Sequence, residues 1–220
     1  MRNRTLLFGV AATAMVAAVF TVARAASFPD PPKASAPAAG TASAVLAGGC
    51  YWGMQGIFEH LKGVTNTVVG FSGGKKETAI YEIVESGKTG HAESIRITYD
   101  PAKITYGDLL KVYFSVAHDP TTLNRQHYDV GTQYRSAIFY ANDEQKKLAE
   151  EYIRDLNAAH VFKDPIVTQV VPLQGFYLAE QDHQHFLDRY PTQSYIAAVD
   201  IPLLNEFKAK YPELYTKEIK

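Results

Sequence analysis

The apolar run Ala44-Val45-Leu46-Ala47 stops at two consecutive glycines, Gly48-Gly49, and the apolar residues beyond them change their spacing. A short apolar run bounded by permissive residues reads as a buried strand. Trp52, Ile57, Phe58 and Leu61 instead fall near one face of a helix that begins at Cys50 and that Gly63 can close as its C-cap. A strand that turns at once into a helix commits the chain to packing helices on a sheet, and it places Cys50 at the junction.

The rest of the chain extends this pattern. Val64 to Phe71 reads as a second strand, Ser72-Gly73-Gly74 as a loop, and Thr78 to Ser86 as a short helix ending at Gly87. Strict alternation in Ser94-Ile95-Arg96-Ile97-Thr98-Tyr99 predicts a half-buried strand. Thr105 with Asp108 resembles a capping box and starts a helix through Phe114. Tyr134 to Tyr140 is a strand, Asn142 with Gln145 opens a helix to about Ala159, Ile166 to Val171 is a strand, and Ala179 to Arg189 a helix. Strands and helices in this mixed order predict an α+β fold, a two-layer sandwich with helices on a mainly antiparallel sheet.

Residues 43–191 are therefore expected to form one folded domain. Ahead of it, Met1-Arg2-Asn3-Arg4 is basic, Leu6 to Val22 is apolar, and Ala23-Arg24-Ala25 offers small residues for cleavage, so residues 1–25 are expected to be an export signal, cleaved rather than kept as an anchor. Residues 26–42, rich in Pro, Ala and Ser, bury too little to offset their ordering entropy and read as a flexible linker. Residues 192–220 form an extension whose amphipathic piece, Leu203, Leu204, Phe207 and Tyr211, can pack back on the domain. With 22 Lys+Arg against 23 Asp+Glu the net charge is -1, which gives no reason to expect nucleic acid as a partner. The mature protein is expected to be periplasmic or secreted, without a membrane span, and to act as a monomer.

One cysteine in an exported chain cannot form an internal disulfide. A lone cysteine is often a small buried hydrophobe. At the first turn of a helix, however, unpaired backbone N–H groups and the positive dipole end favour thiolate, so Cys50 is expected to have a depressed pKa and to act as a nucleophile. His183 and His185, with Asp182 beside them, invite a metal reading; two residues apart on a helix they point in different directions, no third or fourth ligand is evident nearby, and a solvated helix end is the expected role. No metal is expected.

Gly49-Cys50-Tyr51-Trp52-Gly53 resembles the active-site motif of the A-type peptide methionine sulfoxide reductases, which usually has Phe where Tyr51 stands. The resemblance continues through Gly70-Phe71-Ser72-Gly73-Gly74, Tyr81, Gly90-His91-Ala92-Glu93, Tyr99-Asp100-Pro101, His118-Asp119-Pro120, Asp129 to Ser136, and Glu180-Gln181-Asp182-His183-Gln184, covering roughly Ala44 to Pro191 in order. It implies a ferredoxin-like core. It also implies that Cys50 attacks the sulfoxide sulfur, that Glu93 is the acid that protonates the oxygen, and that Tyr81 and Tyr134 hold that oxygen. Asp129 would order the site, and Trp52 with the ring of Tyr51 would receive the substrate methyl group. Read without the resemblance, the two tyrosines and Trp52 are ordinary core or sheet residues and Glu93 a solvated carboxylate.

Many relatives carry further cysteines near the C-terminus that resolve the sulfenic acid; this chain has none. The resemblance thus implies reduction of methionine S-sulfoxide, free or in oxidised proteins, with no bound cofactor and an external thiol as reductant: a thioredoxin-like or glutaredoxin-like domain, or a small thiol. Three rivals remain. A thiol peroxidase uses the same sulfenic chemistry, a cysteine hydrolase would need His91, His118 or His127 beside Cys50, and a non-catalytic domain could bind oxidised methionine without reducing it.

Overall fold

The computed structural model describes residues 28–33 and 40–219, so the expected export signal lies outside the described residues. In chain order the elements are β1 (Ala42–Ala47), α1 (Tyr51–Glu59), β2 (Val64–Ser72), α2 (Tyr81–Val84), β3 (Ala92–Tyr99), α3 (Tyr106–Val112), β4 (Arg125–Gln126) and β5 (Asp129–Val130). Then come β6 (Ala137–Tyr140), α4 (Asp143–Ala158), β7 (Gln169–Pro172), β8 (Phe176–Leu178), α5 (Phe186–Arg189) and α6 (Ile201–Lys210).

Six strands form one sheet in the order β7-β6-β1-β3-β2-β8, with only the β6–β7 pair parallel; β4 and β5 make a separate hairpin. The central strands β6-β1-β3-β2 alternate in direction, and α1 and α3 supply the two crossovers, which is the ferredoxin-like arrangement the resemblance implies. On one face Leu46, Val69, Ile95, Ile97 and Ile138 meet Ile57 and Phe58 of α1 and Leu110 of α3 in the main core. The other face is a smaller cluster of Val45, Ala47, Ala92, Ala137 and Phe139, closed by Leu173 and Phe176 from the curled sheet edges. The polar side of β3 therefore does not face open water: Ser94 is buried, and the Arg96 guanidinium lies 4.8 Å from the centre of the Phe176 ring.

Helix starts follow local chemistry closely. Thr105 Oγ1 accepts from the Asp108 N–H at 3.1 Å while Asp108 Oδ2 accepts from the Thr105 N–H at 3.0 Å, completing the capping box. Asn142 Oδ1 accepts from the Gln145 N–H at 2.9 Å and starts α4.

Other boundaries differ from the expectation, because partners distant in sequence take the backbone groups. The helix expected over 78–86 is a 3₁₀ turn, Lys76–Thr78, followed by the single turn α2. Tyr134 lies in a 3₁₀ turn, and its strand begins only at Ala137. Instead of a helix over 179–189 the chain adds strand β8, a 3₁₀ turn at Gln181–His183, His185 at φ 53°, and the short α5. Here the free edge of β2 decides: Ala179 N–H donates to Val69 O at 3.1 Å, and the Gln184 amide both accepts from Val69 N–H and donates to Val69 O at 3.0 Å. An unpaired strand edge would otherwise leave buried backbone groups unsatisfied.

Two boundaries of the domain also move. The linker expected over 26–42 is not free throughout: Phe28 packs edge-on to Tyr152 and Phe162 at 6.3 Å each, Tyr152 Oη donates to Pro29 O at 2.8 Å, and Lys111 pairs with Asp30 at 2.8 Å. At the other end, Pro191 separates nothing. Leu204, Phe207 and Tyr211 are buried, and α6 with the π-helical turn before it lies along α1. Among the described residues no helix is long and apolar enough to cross a membrane.

Candidate active site

Cys50 is the N-cap residue of α1, partly exposed, with φ -60° and ψ 124°. The turn that presents it is tight. Gly49 has φ +92°, and a Cβ there would sit 2.7 Å from the Gln126 side chain; a Cβ on Gly48 would sit 2.8 Å from the His118 ring. Gln126 is held in place by Asp119, whose N–H it accepts at 3.0 Å and whose carbonyl it donates to at 2.6 Å. Glycine is thus required at position 49 by both conformation and space.

Beside the cysteine lies Glu93, on β3 opposite Phe71 of β2 and only 4% exposed. One carboxyl oxygen accepts from the Tyr51 N–H at 3.1 Å. Burial pushes its pKa up to about 8; the Tyr51 N–H opposes the shift, and Asp129, Glu85 and Asp200 reinforce it. At neutral pH this carboxyl is mostly the neutral acid, able to donate a proton.

The resting thiol differs from the expectation. Burial raises the Cys50 pKa well above its ordinary value, Glu93, Asp200 and Asp129 add to the shift, and the Trp52 N–H lowers it by less. The helix terminus is present, as the sequence predicts, but desolvation and surrounding carboxyls outweigh it. At neutral pH Cys50 therefore rests as a thiol.

Trp52 is half-buried and stacked on Phe186, with ring centres 3.9 Å apart at 12°; His183 is stacked at 5.8 Å and Tyr195 meets it edge-on at 6.4 Å. Tyr51 is only 1% exposed, packed on Phe71 at 5.9 Å and His183 at 5.7 Å, so of the two adjacent rings Trp52 presents the surface and Tyr51 backs it. The hydroxyl by which Tyr51 differs from Phe is buried without a hydrogen-bond partner. Tyr81 stacks on His183 at 4.2 Å. Burial first, then Glu93, raises the pKa of both Tyr81 and Tyr134, so both phenols stay protonated donors. Asp129 accepts a short hydrogen bond from the Tyr195 hydroxyl.

All seven site residues expected from sequence thus gather around one sulfur or one ring shelf. His183, Phe186, Tyr195 and Asp200 complete the site and were not foreseen. His183 and His185 are not a solvated helix end: the first stacks on Tyr81 and Trp52, and the second bonds through Nδ1 to buried Glu59 at 2.7 Å. Tyr195 and Asp200 come from the segment beyond Pro191, where no local pattern marks them. Of the histidines considered as bases for Cys50, His118 contacts Tyr113 O through Nδ1 and Ser136 through Nε2, and burial lowers its pKa to about 4. His91 bridges Gly74 N–H and Lys75 O. Both are occupied structurally. Among the described residues no three Cys, His, Asp or Glu side chains gather to hold a metal.

Comparison with known proteins gives a consistent picture. A family model described as peptide methionine sulfoxide reductase matches residues 42–214. A Mesorhizobium japonicum protein named peptide methionine sulfoxide reductase MsrA 2 is 52% identical over 181 residues, 82% of this chain and 93% of that protein. A Synechocystis protein of the same name is 48% identical, over 81% of this chain and 84% of its own length. Among solved structures, methionine sulfoxide reductase A of Corynebacterium diphtheriae superposes with a TM-score of 0.61 at 37% identity, covering 70% of this chain and 77% of that one. Reduced Mxr1 of Saccharomyces cerevisiae superposes with a TM-score of 0.65 at 31% identity, covering 70% and 87%. The matched span takes in the Cys50 turn, Glu93, both phenols and the C-terminal Tyr195 and Asp200, and the chain belongs to the peptide methionine sulfoxide reductase family.

Proposed function

We propose that this protein reduces methionine S-sulfoxide, free or in oxidised proteins, to methionine, with an external thiol as the final reductant. The observation that carries the reading is a buried, mostly protonated Glu93 carboxyl set beside the only cysteine, next to a half-buried aromatic shelf. A sulfoxide oxygen leaves poorly unless protonated. With the substrate methyl group on Trp52, Tyr81 and Tyr134 donate to the oxygen and Glu93 protonates it while Cys50 sulfur attacks the substrate sulfur. The Cys50 thiol proton replaces the one Glu93 gives up. The hydroxyl then passes from the substrate sulfur to the Cys50 sulfur as the transient bond between the two sulfurs breaks, so that methionine leaves and Cys50 is left as the sulfenic acid.

No second cysteine can attack that sulfenic acid from within. A thioredoxin-like or glutaredoxin-like domain, or a small thiol, therefore forms a mixed disulfide with Cys50, which a second thiol resolves. We assign the reaction to an export compartment, periplasmic or secreted, on the basic and apolar N-terminal segment. There a lone cysteine cannot be locked as an internal disulfide.

The test is a single turnover of the purified protein with the S and R epimers of a methionine sulfoxide peptide, trapping Cys50 with a sulfenic-acid reagent. One equivalent of the S epimer should be reduced and Cys50 trapped, with Cys50→Ser inert. Reduction of neither epimer would refute the reading. Turnover on hydrogen peroxide alone would then mark a peroxidase, and binding without product a recognition domain.

A further inference from the structure

Asp200 is 2% exposed and ends the π-helical turn Ile196–Asp200, yet it does not cap the helix that follows. Its Oδ2 is buried with no hydrogen-bond partner. A buried, unpartnered carboxyl oxygen costs on the order of 1–3 kcal/mol and calls for a reason. Its position supplies one. Asp200 Oδ1 presses on Gly53, three residues from Cys50 on α1, so closely that a Cβ at Gly53 would collide with it. Residues three apart share a helix face. Asp200 and Cys50 also line one small cavity with Gly48, Gln126 and Tyr195, a cavity that Glu93 does not line. Two carboxyls therefore flank the sulfur, Glu93 from the sheet and Asp200 from the C-terminal segment.

The reduction step assigns a proton to Glu93 and leaves Asp200 unused. We propose that Asp200 is the proton carrier of the second half of the cycle, delivering a proton to the hydroxyl that leaves Cys50 and taking one back from the incoming thiol. In that step the thiol S–H breaks, its sulfur attacks the Cys50 sulfur, the new S–S bond forms as the S–O bond breaks, and the carried proton completes a water molecule. The external thiol is oxidised and the sulfenyl sulfur reduced. Burial, then Asp129, pushes the Asp200 pKa up to about 8, close to that of an ordinary thiol, where proton exchange between the two is nearly balanced. The other titratable groups around it are Cys50, Glu93, Asp129, Tyr195 and the exposed His127, which lines the same cavity. His127 is the rival carrier.

This inference rests on the proposed sulfenic-acid cycle, and the experiment separates the two. Asp200→Asn and His127→Gln are compared with the parent in single-turnover sulfoxide reduction and, separately, in the rate at which small thiols of increasing pKa reduce the preformed Cys50 sulfenic acid. Asp200→Asn should slow thiol reduction of the sulfenic acid by about 100-fold, the low end of what general acid–base groups supply, and slow single-turnover sulfoxide reduction by much less. That penalty should grow with thiol pKa, which a merely structural defect would not produce. Asp200→Glu, which keeps the carboxyl, should recover part of the loss and serves if the Asn variant does not fold. A penalty equal in both half-reactions, one independent of thiol pKa, or a slow His127→Gln in place of Asp200→Asn overturns the assignment. Failure of the parent to form a trappable sulfenic acid overturns the underlying cycle instead.

Discussion

Replacing Glu93 by Gln should make the protein more stable and nearly inactive, with a gain in stability that depends on pH. Glu93 is 4% exposed, and its pKa is raised from 4.5 to about 8, chiefly by burial. Below pH 4.5 the folded and unfolded chains both hold the proton, and this residue makes no pH-dependent contribution. Between there and about pH 8 the unfolded chain releases the proton while the folded one keeps it. Stability then falls by about 1.4 kcal/mol for each pH unit and levels off above the folded value. The amide in E93Q has no proton to release, and its carbonyl oxygen can still accept the Tyr51 N–H. Between pH 5 and pH 8 the difference in unfolding free energy should therefore move in favour of E93Q by about 3 kcal/mol. Urea unfolding of both proteins at the two pH values measures it. Single-turnover reduction should fall by about 10²- to 10⁴-fold through loss of the proton donor. A stability difference that stays constant between the two pH values, or a variant as active as the parent, would show that Glu93 is not a buried neutral acid.

The raised Cys50 pKa predicts that iodoacetamide labels the native protein at pH 7 more slowly than it labels free cysteine, accelerating with pH beyond the ordinary thiol range; faster labelling at pH 7 would contradict the resting thiol. Gly49→Ala must accept φ +92° and a contact at 2.7 Å with Gln126, and should lose about 1–3 kcal/mol in urea unfolding together with sulfoxide reduction. Phe28→Ala, far along the chain from the site, should cost about 1–3 kcal/mol while leaving the single-turnover rate unchanged; unaltered stability would show that the Phe28 contacts contribute nothing to the core.

What the sequence determined by itself was whatever depends on neighbouring residues. The Gly48-Gly49 stop, the alternation of Ile95, Ile97 and Tyr99, and the Thr105 and Asn142 caps are local devices, and the elements they announce are present. Cys50, Glu93, Tyr81 and Tyr134 were legible because the motifs that carry the family resemblance include them. Tertiary structure decided the rest. The segment from Phe176 to Arg189 breaks into strand and short turns because the open edge of β2 must be paired, a need that lies more than a hundred residues away in sequence. Tyr195 and Asp200 join the site only because α6 packs along α1 and brings them to Cys50. The thiol pKa reverses its expected direction for a related reason: a helix terminus is a local feature, whereas desolvation and the carboxyls of Glu93, Asp200 and Asp129 are set by everything that folds around it.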